Sequence, residues 1–330
     1  MNPGGRCDCQ RITVHMIRRL TGFSVVAVVT FLLAASLFAL DDPQPASGKK
    51  ILLSFDTLPA MKPMGFWTPR EISNMILKAL EKNNIKAVGF VVAEKIEDDP
   101  TSYIVLEDWA SKGHILGNQT FGNVDLNELS AEDFLQHAED GQRPIWATAK
   151  KYRFNFRYFR FPQLHEGNTP GKKKDVRRAL ADGGYQIVPV TVKTSDFLFN
   201  RPLIEKQKSQ GNVDELKAAY LRHIGAMLDY AEKQSSAVFD RNITQILWLH
   251  AGIATATWLD DLITMLRGRG YEFVSLPDAL NDPAFKTPET YAGPLGLSFL
   301  DRVAATRKLP YDENYGEIKD PEIEKLVGEQ

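Results

Sequence analysis

An aspartate, an arginine, a second aspartate and a histidine each stand at or just past the end of a short apolar run. Asp56 and Thr57 close Ile51-Leu52-Leu53-Ser54-Phe55, and Arg160 closes Tyr158-Phe159. Asp196 comes soon after Thr191-Val192, and His250 closes Ile246-Leu247-Trp248-Leu249. Carboxylate, guanidinium and imidazole are the groups that move protons and hold developing charge. A polar loop from Gly113 to Leu126 follows the strand-like His114-Ile115-Leu116 and carries Gln119 and Asn123. In parallel sheets and barrels, reactive residues gather at the C-terminal ends of the strands. These positions would therefore meet if every run is a strand of one such sheet.

The elements around them have that order. Further strands are expected at Ala87–Val92, Tyr185–Val192 and Tyr271–Val274, from apolar runs of strand length. Thr68-Pro69-Arg70-Glu71 is a capping box with proline at the first helical position, and Ile72, Met75, Ile76, Ala79 and Leu80 then share one face. Ser130 with Asp133 opens another helix. Lys172–Leu180, Val213–Glu232 and Trp258–Leu266 read as three more, the first stopped by Gly183-Gly184. Repeated strand–helix alternation predicts a parallel sheet covered by helices. No G-x-G-x-x-G follows the first strand and no P-loop occurs, so nucleotide-binding readings lose their main support. After Asp282 the chain turns rich in proline, glycine and charge, and residues 283–330 read as an irregular tail.

Composition bounds the partners. A chain 43% hydrophobic and 25% charged is ordinary globular material, and a net charge of −2 gives no basic surplus for nucleic acid. The N-terminus is a targeting element. Residues 1–19 hold Arg11, Arg18 and Arg19, residues 20–40 carry no charge, and Asp41 and Asp42 follow. Such a run is long enough to span a bilayer, and the upstream arginines place residues 1–19 in the cytoplasm and the rest outside. It is either a signal peptide or a membrane anchor. Residues 41–48 form a linker. The only cysteines, Cys7 and Cys9, precede the run, so the exported part has no disulfide. The expected location is periplasmic or extracellular, with anchoring in the inner membrane if residues 20–40 are kept.

From these residues a family resemblance emerges. Residues 49–282 resemble the polysaccharide deacetylases of carbohydrate esterase family 4, the NodB-homology domain. Ser54-Phe55-Asp56-Thr57 resembles the family's T-F-D-D. Gly113–Leu126 resembles its G-H-x-x-G-N-H-T-x-x-x-H-x-x-L loop. Phe159-Arg160-Phe161-Pro162 resembles R-x-P, Asp196-Phe197 matches an Asp with an aromatic, and Ile246–His250 resembles the leucine-rich strand ending in histidine. The resemblance implies an α/β fold, a distorted (β/α)7 barrel. It also implies a divalent metal, zinc or similar, and an acetylated polysaccharide or oligosaccharide as substrate. By that resemblance Asp56 matches the general base, Arg160 the residue that orients it, Asp196 the fourth-motif aspartate and His250 the general acid. Phe161, Pro162, His165 and Trp67 are the candidate substrate contacts.

The three positions that hold the metal in the family are Thr57, Gln119 and Asn123 here. Zinc favours thiolate, imidazole and carboxylate. A hydroxyl and two carboxamides forfeit one negative charge and two imidazole nitrogens. Little of the roughly 10–16 kcal/mol that structural zinc draws from its ligands should survive. Without the ion, nothing lowers the pKa of the attacking water toward about 7. The expectation is thus a glycan-binding family member with little or no metal-dependent deacetylation. The alternative is an active hydrolase of an N- or O-acetylated glycan, working without metal or with a displaced one on Asp56, His165 and Glu166.

Overall fold

The computed structural model describes residues 48–328. The expected cytoplasmic segment, the apolar run at 20–40 and all of the linker but Gly48 lie outside the described residues. No described helix is long and apolar enough to cross a membrane.

Seven strands form one sheet: β1 (Lys49–Leu58), β2 (Val88–Val91), β3 (Ile115–Asn118), β4 (Tyr158–Phe159), β5 (Gln186–Ile187), β6 (Gln245–His250) and β7 (Tyr271–Phe273). Their order is β5-β4-β3-β2-β1-β6, with β7 also on β1, and every pair is parallel. The chain leaving β5 crosses to β6, where Val192 bridges Leu247 and Trp248 N–H donates to the Val192 carbonyl at 3.0 Å. The sheet therefore curls until its two ends touch, a distorted parallel barrel as expected. All seven strands lie where the apolar runs put them. The central ones carry near-continuous apolar residues because helices cover the outside.

Strand periodicity sorts residues between the two faces. On β1, Ile51, Leu53 and Phe55 pack outward into the main core, whereas Leu52 joins Val88, Phe90 and Ile246 in a second cluster inside the curl. Ser54 and Asp56 share the inner face with Leu52. On β6, Leu247 and Leu249 go outward, so Ile246, Trp248 and His250 go inward. The β1–β6 register pairs Leu52 with Ile246, Ser54 with Trp248 and Asp56 with His250. The interior is therefore apolar at the bottom, then polar, with two ionisable groups side by side at its top. Gly117 on β3 serves that interior: a Cβ there would lie 2.5 Å from the Phe90 ring.

Helices pack on the outer face. The capping box holds, with Thr68 and Glu71 bonded reciprocally at the start of Pro69–Lys82. Ser130 caps Ala131–Gly141, and the remaining expected helices appear as Pro170–Asp182, Asp214–Phe239 and Ile253–Gly268. Sequence reading missed Tyr103–Ser111, Arg143–Tyr152 and Asn200–Lys208. The reading of 283–330 as an irregular tail is corrected. Phe299–Thr306 and Pro321–Val327 are helices, and Phe299, Leu300, Val303, Tyr315, Ile318 and Ile323 enter the main core. Each helix is only about two turns long, too short for its apolar spacing to stand out among prolines and charges.

Candidate active site

The strand ends meet as the sequence predicts. A cavity of about 350 Å³ opens above them, lined by Thr57, Met61, Gln119, Asn123, Gln163, Lys193, Thr194, Ser195, Phe197, Trp248, His250, Gly316 and Glu317.

One side of it is a buried hydrogen-bond system centred on Asp196, with Trp248 Nε1 its unpartnered atom. The Asp196 carboxylate accepts from His250 Nδ1 at 2.7 Å, from His250 N–H at 2.8 Å and from the Thr255 hydroxyl at 2.6 Å, while the nearby Thr194 hydroxyl donates to the Trp248 carbonyl at 2.6 Å. Tyr220 OH donates in turn to Thr255 Oγ1 at 3.2 Å. Thr255 reaches Asp196 because Ile253–Gly268 begins three residues after His250. The His250 ring lies between Phe197, edge-on at 5.1 Å, and Trp248, tilted at 4.8 Å. Burial works against the His250 imidazolium, but the Asp196 carboxylate outweighs it and raises the pKa above the ordinary 6.5. Burial likewise works against ionised Asp196, yet His250, Thr255 and the His250 N–H together hold it below 3.8. With Nδ1 donating to Asp196, the proton on Nε2 belongs to the imidazolium form.

The other side is built on β1 and β3. The Gln119 carboxamide spans the Asp56–Thr57 turn: its Nε2 donates to Asp56 Oδ2 at 2.7 Å, and its Oε1 accepts from Thr57 N–H at 2.8 Å. Thr57 sits at φ +68°, an αL conformation that a β-branched residue adopts only when its surroundings impose it. Asn118 fixes the loop, accepting from Thr120 N–H at 2.8 Å and donating to the Ala138 carbonyl at 2.6 Å. Arg160 is buried beneath Asp56. Its Nη2 donates to Ser54 Oγ at 3.1 Å, its Nη1 stands 3.8 Å from Asp56 Oδ1, and its guanidinium lies over the Phe90 ring at 4.5 Å. Burial pushes the Asp56 carboxyl above 3.8, and Arg160 and His250 oppose it only in part. Asp56 Oδ1, Arg160 Nε and Nη1, and Asn123 Oδ1 are buried with no hydrogen-bond partner.

The structure thus brings Asp56, Arg160, Asp196 and His250 together, with Thr57, Gln119 and Asn123 on the cavity wall. It does not bring the four expected substrate contacts there. The Phe161 ring is sealed in an aromatic cluster, stacked on Phe134 at 5.7 Å and edge-on to Phe159 at 5.1 Å. Pro162 is buried at the start of a 3-10 turn. His165 pairs with Asp125 at 2.7 Å, and Trp67 packs at the edge of the main core; neither lines the cavity. Nor is Glu166 free: Arg302 Nη2 lies 2.9 Å from it, and Arg177 and Lys173 complete the cluster. Among the described residues, no three His, Cys, Asp or Glu side chains are gathered as a metal would require. Sequence reasoning missed Lys193, Gln163, Gly316 and Glu317. Nor did it single out Trp248 as a cavity residue, although Trp248 sits two residues before His250 and so on the same strand face.

Polar groups at the strand ends of a curled parallel sheet place the chain among α/β proteins of the distorted parallel-barrel class. Comparison with known proteins narrows this. A family model described as polysaccharide deacetylase matches residues 44–188. A chitin deacetylase of Colletotrichum lindemuthianum is 24% identical over 219 residues, covering 65% of this chain and 76% of that protein. The fold is similar to that of a carbohydrate esterase family 4 pseudoenzyme from Bacillus anthracis, at 18% identity and a TM-score of 0.50, over 72% of this chain and 66% of that one. A mutant of that pseudoenzyme with restored enzymatic activity aligns with the same TM-score of 0.50 at 19% identity, over 72% and 69%. The family match ends before Asp196 and His250, so their place in the site rests on geometry.

Proposed function

We propose that this protein is an exported member of the polysaccharide deacetylase family that holds acetylated glycan in the strand-end cavity, with little or no metal-dependent deacetylation. The Gln119 carboxamide carries this reading. A residue at a metal-ligand position has its oxygen engaged by Thr57 N–H and its nitrogen by Asp56. It ties the two residues of the first motif to each other and leaves an ion only the second lone pair of a neutral oxygen. Thr57 and Asn123 add only a neutral hydroxyl and a neutral carbonyl. The set does not fit zinc or a similar divalent ion, and no step is derived through one. Export is supported by the arginines before residues 20–40, with tethering if that run is not cleaved.

A second reading is favoured by one observation, the intact His250–Asp196 and Asp56–Arg160 pairs. It is a hydrolase of N- or O-acetyl groups in which Asp56 takes a proton from water and His250 supplies one to the leaving group. The version with a displaced ion on Asp56, His165 and Glu166 loses its basis, because Glu166 is already held by Arg302, Arg177 and Lys173.

Titration calorimetry of the full-length protein with N-acetylated chitotetraose, alongside acetate release with and without added zinc, tests this. The expected result is binding with no measurable acetate. Turnover that disappears in Asp56→Ala would establish the second reading instead.

A further inference from the structure

We propose that the cavity selects glycans bearing a carboxylate, and that Lys193 is the residue that recognises it. This rests on reading the cavity as a glycan site.

Lys193 lies between β5 and Asp196 and lines the cavity with His250 and Asn123. No carboxylate among the described residues comes within ion-pair distance of its ammonium, which makes no hydrogen bond to the rest of the protein. Other buried cations near the site are engaged: Arg160 has Asp56, Lys173 has Glu289, Arg302 has Glu166, and Lys95 donates to the Ala60 carbonyl at 3.2 Å. Its stem is held in place. Gly316 is at φ +101°, and a Cβ there would lie 2.6 Å from Lys193 Cγ, so a glycine carries the backbone against the methylenes. Ser195 fastens that backbone by donating to the Gly316 carbonyl at 2.8 Å.

Glu317 and Asp301 oppose the burial of this cation only from beyond ion-pair distance, so a fixed, partly buried ammonium gains from a closer anion. The partner must be an anion that enters the cavity. The one carboxylate on the wall, Glu317, is exposed at the rim, where water screens it. Its charge lowers the positive potential at the mouth, and burial holds the Lys193 pKa below 10.5. The unpartnered Asn123 Oδ1 on the same wall accepts a hydroxyl, as a sugar ring provides. A cationic donor and a neutral acceptor in one cavity match a sugar carrying both a carboxylate and hydroxyl groups.

The experiment compares chitotetraose with carboxymethylated chitotetraose by calorimetry on the full-length protein and on Lys193→Met and Lys193→Arg. A charge-assisted hydrogen bond predicts about tenfold or greater preference for the carboxymethylated ligand. Lys193→Met should erase that preference and keep affinity for the neutral ligand, Lys193→Arg should retain most of it, and added salt should shrink it. Equal affinity of the unmodified protein for the two ligands, or a preference that survives in Lys193→Met, would overturn this inference alone. Failure to bind either ligand would overturn the glycan reading together with it.

Discussion

The two walls of the cavity are built to different standards. On the β6 wall, Asp196 accepts three hydrogen bonds and His250 is held through its backbone N–H, its Nδ1 and two aromatic rings. On the β1–β3 wall, Asp56 has one oxygen unpartnered, Arg160 has two such nitrogens, and Asn123 has its oxygen idle. Both walls sit on equally buried strands, so burial does not make the difference. What differs is residue type. The β6 wall pairs Asp196 with His250 and leaves Trp248 Nε1 unmatched, whereas the β1–β3 wall sets the neutral carboxamides of Gln119 and Asn123 beside a buried carboxylate and guanidinium and leaves more atoms unmatched.

The contrast can be broken most severely at Asp196. Asp196→Ala leaves a buried imidazolium without its counterion and should cost about 3–5 kcal/mol in chemical denaturation. Gln119→Ala should cost about 2 kcal/mol by the same measurement: two groups are left unpaired at about 1–3 kcal/mol each, but cavity water can reach them. An equal or larger loss at Gln119 would reverse the contrast. Thr255→Val removes one bond to a charged acceptor and should cost about 1.5 kcal/mol.

The walls should also separate in pH. His250 is raised above 6.5, so its stabilisation is fully present below pH 6.5 and is lost as pH rises through the raised folded value. Asp196 is lowered, so its share is present above pH 3.8 and lost on acidification. Asp56 is raised, so its share is present below pH 3.8 and lost as pH rises. Asp56→Asn should therefore flatten part of the stability decline above pH 3.8. In Asp196→Asn, where only the weaker pull of Asp56 opposes burial, the His250 NMR titration should shift downward.

Much of this was legible in the sequence. The seven strands were, because the central ones are written as apolar runs. Asp56, Arg160 and His250 were legible because each stands at the end of such a run, and Asp196 because it follows one. The four substrate contacts were not. Phe161 and Trp67 look alike as exposed or buried aromatics in one dimension, and only packing against Phe134 and Phe159 consigns Phe161 to the core. Lys193, Gly316 and Glu317 reach the cavity through long-range packing of the C-terminal helices, which no local periodicity announces. The double bond of Gln119 was hidden too, since it depends on the αL turn at Thr57.

The central claim is that three substitutions, at Thr57, Gln119 and Asn123, separate this cavity from a metal site, and that the opposite wall is already competent. The most direct test is zinc stoichiometry by elemental analysis, read together with acetate release from chitotetraose. The proteins compared are the full-length chain and the Thr57→Asp, Gln119→His, Asn123→His triple variant. The account predicts no bound zinc and no acetate for the unmodified protein, and one zinc with measurable acetate release for the variant. Stoichiometric zinc in the unmodified protein, or a zinc-loaded variant that still releases no acetate, would contradict it.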